Sequence, residues 1–209
     1  MVNNFKQVKN ILSFEDKNDF YLVEIIKRKK DNSHDSSFKK NEKHIKRFYI
    51  NNLEDFDEKQ NSIIETCIRN NARAYIKLNK RNHKHIAKVM NVKLAEILLH
   101  DNNDEYKRLE TLYSKVTGKY FVNNDKKFII DLDEKDLHLK EEILTYLKTH
   151  NDFKFSLHKE DLVIDTFPSN TGLHIVTKKF NLNIFKKKYP NIDVHSDNMV
   201  LLFFNNQPL

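Results

Sequence analysis

Three shortages narrow the chain before any motif is read. Cysteine occurs once, as Cys67, which excludes a disulfide framework and any cysteine-based zinc site. Its context, SIIETCIRN, puts the thiol on an apolar helix face, so it reads as buried and inert. Glycine occurs twice and proline three times. No glycine-rich phosphate loop can be built from that supply, and a P-loop hydrolase is excluded on motif grounds. Beside abundant Lys and Asn, the scarcity reads as the codon bias of an AT-rich genome. No apolar run nears the roughly 18 residues that span a bilayer, and MVNNFKQVKN has no signal-peptide core. A soluble cytoplasmic protein with no membrane partner is expected. Internal repeats, low-complexity tails and tethering linkers are missing too, so two lobes, if present, pack together.

What remains is a polar but globular chain of 209 residues, 39% hydrophobic and 32% charged, long enough for one large domain or two that share a core. The formal charge is +7 and the isoelectric point is near 9.2. Such a surplus favours an anionic partner, with nucleic acid or nucleotide first among them, against the plainer reading of a solvated Lys-rich surface.

Hydrophobic periodicity predicts strands at 20–26 and 44–50, joined by a charged hairpin loop, then a helix over 57–70. A strand at 73–79 precedes helical patterns over 83–99 and 103–116. A strand over 127–133, a helix over 137–149, and strands at 161–167 and 173–177 around PSNTG follow. A short helix NIFKKKY and the segments NIDVH and MVLLFF complete the order. Helix–strand alternation in the middle and hairpins near the end favour α+β with a mixed sheet over a doubly wound parallel fold.

Side chains alternate across a strand. Phe128, Ile130 and Leu132 therefore oppose Asp131 and Asp133; Leu173 and Ile175 oppose His174; Ile192 and Val194 oppose Asp193. In 73–79, Ala74, Ile76 and Leu78 oppose Arg73, Tyr75, Lys77 and Asn79. Each segment buries one side and presents polar groups on the other. Carboxylates at i and i+2 converge well enough to bridge two hard divalent ions, which take oxygen ligands. Taken singly, each piece also has a bland reading: a polar strand exit, a half-buried edge histidine, a solvated cation. Asp165 and Asp197 compete with Asp193 for the third acidic position.

With those residues in view, the C-terminal half, 127–204, resembles the archaeo-eukaryotic primase superfamily, in particular its small phage and plasmid primase-polymerases. FIIDLD matches the apolar strand ending in Asp-x-Asp. Gly172, Leu173 and His174 of TGLHIVTKKF match the small residue, any residue, then His, with glycine where serine is frequent. Ile192-Asp193 matches the later acid. The resemblance implies an RRM-like catalytic core over 72–209 and a small N-terminal α/β accessory lobe over 1–71. It implies that Asp131, Asp133 and Asp193 hold two Mg²⁺ or Mn²⁺ ions and that His174 contacts the triphosphate. Lys178 and Lys179 would neutralise phosphate, while Arg73, Lys77 and Arg81 would contact nucleotide or nucleic acid. Nucleoside triphosphates, a single-stranded template and replication proteins such as a helicase are the implied partners.

Two rivals stand beside this reading. A non-catalytic, primase-like binder or inhibitor of nucleic-acid enzymes needs no converging acids. A haloacid-dehalogenase-type phosphatase also opens on Asp-x-Asp, but here DLDEKDLHL continues with charge rather than Gly-Thr.

Overall fold

Strand pairing divides the chain between two sheets, and every described pairing is antiparallel. The mixed sheet expected from sequence is thus corrected, while the α+β class holds. The structure, a computed structural model, describes residues 1–38, 40–100, 103–121, 126–149, 161–197 and 199–205.

The first half runs β1 (Val2–Asn3), α1 (Phe5–Lys9), β2 (Asp19–Arg28), β3 (Glu42–Ile50), α2 (Leu53–Asn70), β4 (Arg73–Asn82), α3 (His83–His100), α4 (Asn103–Tyr106) and α5 (Leu109–Lys119). The second runs β5 (Lys127–Leu132), α6 (Lys140–Thr149), β6 (Val163–Pro168), β7 (Leu173–Lys178), α7 (Leu182–Lys188), β8 (Asp193–His195) and β9 (Met199–Phe204). The helix read over 57–70 starts earlier, at Leu53, because Asn52 caps it by accepting from the Asp55 N–H at 2.7 Å. It stops at Asn71, whose φ of 43° lies in the left-handed region that asparagine tolerates better than most residues. Phe56, Ile63 and Cys67 form its buried stripe, and burial pushes the Cys67 thiol up to about 12.

The first sheet has the order β1-β9-β4-β2-β3. It draws its strands from both ends of the chain, so the division expected after residue 71 falls inside it. Ala74, Ile76 and Leu78 share one apolar cluster with α1 and α2, as alternation predicts. The second sheet has the order β6-β7-β5-β8. Phe128, Ile130, Leu132 and Ile175 pack on Ile143 and Leu147 of α6 and Phe185 of α7. Helices therefore cover one face of this sheet. Its other face turns towards the first sheet, because Ile129 and Val176, paired across β5 and β7, are buried in the same cluster as Ile76 and Val200.

Buried carboxamides stitch the two sheets together. The Asn79 amide of β4 donates to the carbonyls of Lys127 (3.2 Å) and Ser196 (3.0 Å), and its oxygen accepts from the Lys127 N–H at 2.7 Å. Near β6, Asn4 donates to the carbonyls of Pro168 (3.0 Å) and Leu201 (2.7 Å). These bonds satisfy backbone groups that a sheet junction would otherwise strand, and they set the spacing of the cleft described next.

Candidate active-site cleft

Asp131 is the register point of the second sheet. It lies directly opposite His174 on β7 and directly opposite Asp193 on β8. Opposed residues of an antiparallel pair share a face, with Cα atoms about 4.5–5.5 Å apart. Three residues from distant parts of the sequence therefore form one row across three strands. Asp133 follows two residues beyond Asp131, past the strand end, and is exposed.

Asp131, Asp133 and His174 line a cleft of about 170 Å³ between the sheets, together with the β6–β7 turn residues Ser169, Asn170 and Thr171. The Asp-x-Asp pair thus opens into a cleft and not into packed interior. The opposite wall comes from the first sheet: Ile26 and Arg28 of β2, Lys30 just beyond it, Glu42 of β3, and Arg73 and Tyr75 of β4.

His174 Nε2 stands 3.4 Å from Asp131 Oδ1, a long contact that becomes an ion pair when the imidazole is protonated. His174 beside it holds the Asp131 carboxyl below the ordinary carboxylate value; burial opposes this, and the charges of His195 and Lys30 assist. The other imidazole nitrogen, Nδ1, is buried with no hydrogen-bond partner among the described residues. A buried polar atom left unpaired is costly, and here it belongs to the ring that faces the acid.

Arg73 is almost wholly buried. Its Nε and Nη2 donate to the two Asp31 oxygens at 2.7 and 2.5 Å, and its guanidinium lies 4.5 Å over the Phe204 ring. Burial works against the charge, but the Asp31 carboxylate and the Tyr75 hydroxyl together outweigh it and the pKa is raised. Arg28 Nη1 reaches the Tyr75 hydroxyl at 3.4 Å.

The other expected cations lie elsewhere. Arg81 has no exposed surface; its guanidinium donates to the carbonyls of Thr117 and Asn79 and to Asp197. Lys77 donates to the Gly118 carbonyl at 3.0 Å and sits 3.6 Å from Asp197. Both therefore tie the end of α5 to β4 and are turned into the protein, not to the cleft. Lys178 pairs with Lys127 at the far end of β7 from His174, and Lys179 is exposed just past that strand. The alternatives for the third acid are engaged as well: Asp197 by Arg81, and Asp165 by the Gln7 amide at 2.8 Å. Asp193 alone of the three shares the register of Asp131.

The sequence singles out neither Arg28 nor Lys30; it expects the basic 27–47 loop of the accessory lobe to contact template or partner, and gives these two no place beside the acids. They sit within the basic run 27–30, which local pattern marks only as the start of a loop, and nothing local shows that the loop folds beside residue 131. Gly172 was read as one small residue among several that would serve. Its surroundings are stricter, since a Cβ there would stand 2.0 Å from the Leu132 carbonyl oxygen.

The carboxylate-rich donor set suits a hard divalent ion. Among the described residues, no three His, Cys, Asp or Glu side chains are gathered into a ligand group; Asp131 is turned to His174 instead. Compared with protein-family models, with curated proteins and with solved structures, the chain finds no match in any of the three.

Proposed function

We propose that the chain is a template-dependent nucleotidyltransferase of the primase-polymerase kind, joining nucleoside triphosphates on a single-stranded template with Mg²⁺ or Mn²⁺ as cofactor. One observation carries the reading. Asp131, His174 and Asp193 stand in one row across three paired strands, and Asp131 and His174 of that row line a cleft whose far wall bears Arg28, Lys30 and Arg73, while Asp193 lies outside its lining.

An RRM-like core is supported by topology. From β5 to β8 the described helices and strands run β-α-β-β-α-β, the strand order in space is second, third, first, fourth, and both helices pack on one face. The phosphatase reading needs a parallel doubly wound sheet, and the described pairings offer none.

In the proposed reaction Asp131, kept ionised beside His174, offers acceptor oxygens together with Asp133 and Asp193. Asp131, Asp133 and Asp193 would hold two divalent ions, whose charge would serve the attacking hydroxyl and the departing pyrophosphate. Arg28 and Lys30 hold phosphate oxygens through charge-assisted hydrogen bonds. Arg73, neutralised by Asp31, keeps that wall in place. A phosphate oxygen of the triphosphate would accept from His174 Nε2, the ring nitrogen on the Asp131 side, since Nδ1 is buried.

A specific observation favours the non-catalytic binder as a second reading: among the described residues no three His, Cys, Asp or Glu side chains form a metal-ligand group. Labelled-nucleotide incorporation on single-stranded templates with Mg²⁺ or Mn²⁺ separates the two. Wild-type incorporation that vanishes in Asp131→Ala/Asp133→Ala supports the enzyme. Activity that survives the double substitution removes it, and template binding without incorporation by the wild type establishes the binder.

A further inference from the structure

A cavity lies between α3 and α5. On α3, Lys93, Ile97 and His100 fall on one side at helical i, i+4 and i+7 spacing; on α5, Leu112, Lys115, Val116 and Lys119 do the same. Together with Tyr120 they line a volume of about 330 Å³, within the range of sites that take small molecules. Ile97, Leu112 and Val116 are buried and Tyr120 is half-buried, so the floor is apolar. The exposed Val92, Leu94, Leu98 and Leu99 of α3 are no part of this lining.

The lining carries a surplus of positive charge. Glu96 is its one acid among the described residues, and Lys93 answers it at 2.6 Å. Arg108, Lys115 and Lys119 remain, and no carboxylate among the described residues pairs with Lys115 or Lys119. Lysines near a helix C-terminus commonly serve its last carbonyls and its dipole. In α5 those carbonyls are already engaged: Arg47, Arg81 and Lys77 donate to Ser114, Thr117 and Gly118 at 3.2, 3.1 and 3.0 Å. The Lys119 ammonium instead lies 5.6 Å over the Tyr120 ring, which brings a charge to the edge of the apolar floor.

We propose that this cavity binds a small amphipathic anion. Its aliphatic chain lies on Ile97, Leu112, Val116 and Tyr120, and its headgroup, a carboxylate or a phosphate, accepts charge-assisted hydrogen bonds from Lys115 and Lys119. The lining selects both halves of the ligand: the apolar floor takes the chain, and the uncompensated lysines take the anion. A nucleotide has the charge, but bases bind by stacking on aromatic rings, and this floor is aliphatic apart from Tyr120. The site shares no residue with the cleft of Asp131 and His174, so it stands apart from the nucleotidyl-transfer reading.

The test titrates the full chain by calorimetry with decanoate and with decyl phosphate, both below their micelle concentrations. Saturable binding of either supports the proposal, and the tighter of the two identifies the headgroup. Shortening decanoate to octanoate and hexanoate should weaken binding about fourfold per methylene, as burial of the chain requires. Lys115→Glu/Lys119→Glu should weaken it about tenfold or more, with circular dichroism checking that the variant stays folded. Decylammonium, of equal chain and opposite charge, should bind about tenfold more weakly or not at all. Methyl NMR should show Ile97, Leu112 and Val116 shifting while Leu98 and Leu99 stay in place. Four results overturn the proposal: neither anion binds, decylammonium binds equally, the charge reversal or the chain length has no effect, or the shifts are confined to Leu98 and Leu99.

Discussion

Gly172 presses directly on the backbone that carries the candidate acids: a Cβ at this position would lie 2.0 Å from the Leu132 carbonyl oxygen and 3.2 Å from Asp133 Cα. The obstacles are backbone atoms, so no side-chain rotation relieves them. The turn holding Gly172 is itself closed by the Ser169 N–H donating to the Gly172 carbonyl at 2.9 Å and the Gly172 N–H donating to Ser169 Oγ at 3.0 Å. Gly172→Ala is expected to destabilise the protein by about 1–3 kcal/mol and to displace Asp133 from the cleft. Thermal or urea unfolding measures the first effect. A variant as stable as wild type would contradict the close approach.

The contact between His174 and Asp131 has a pH signature. Asp131 titrates below its ordinary value of 3.8 in the folded chain. A depressed carboxylate contributes stability that is present above the unfolded pKa and is lost as pH falls through the folded one. In His174→Gln the principal cause of the depression is gone, so the Asp131 carboxyl should titrate higher and the acid-side loss of stability should be shallower. Carbon-detected titration of the Asp131 carboxyl checks the direction; an unchanged titration would separate the two groups.

Three acids competed for the third position, and substitution should rank them. Asp193→Asn alters an exposed carboxylate in the Asp131 row and is expected to abolish incorporation while shifting stability by no more than about 0.5 kcal/mol. Asp197→Ala leaves the fully buried Arg81 without its carboxylate, and it should cost about 3 kcal/mol of stability. Paired activity and unfolding measurements distinguish the site acid from the structural one.

The pair of Asp31 and Arg73 holds the cationic wall. Both side chains are largely buried, and the guanidinium is bonded through two nitrogens. Removing one partner of such a pair strands the other charge. Asp31→Ala is expected to destabilise by about 3–5 kcal/mol, readable in urea unfolding. Double substitution of Asp31 and Arg73 by apolar residues should recover part of that loss.

Alternation along single strands was enough to sort Asp131, His174 and Asp193 from Ile130, Ile175 and Ile192, because the pleat is a local property of the backbone. The helix over 57–70 was legible for the same reason, although helical spacing sets Ile68 beside Ile64 on the face of Ile63 and Cys67, and Ile68 is 42% exposed. Local pattern does not record what lies over a face. Arg73, Lys77 and Arg81 alternate onto one side of β4, yet Arg73 reaches the cleft while Arg81 is enclosed by α5, through bonds to residues 36 positions away and beyond.

By itself, then, the sequence determined the apolar side of β4, β5 and β7 and that two aspartates leave β5 together, and it located the helical stretches, although the one expected over 103–116 is divided into α4 and α5. Tertiary structure alone decided that three strands bring Asp131, His174 and Asp193 into register, that β9 returns to the first sheet, and that Arg28 and Lys30 stand across the cleft. The reason is that pairing partners far apart in the chain are chosen by the packing of whole sheets and helices, a choice that no short window of residues contains.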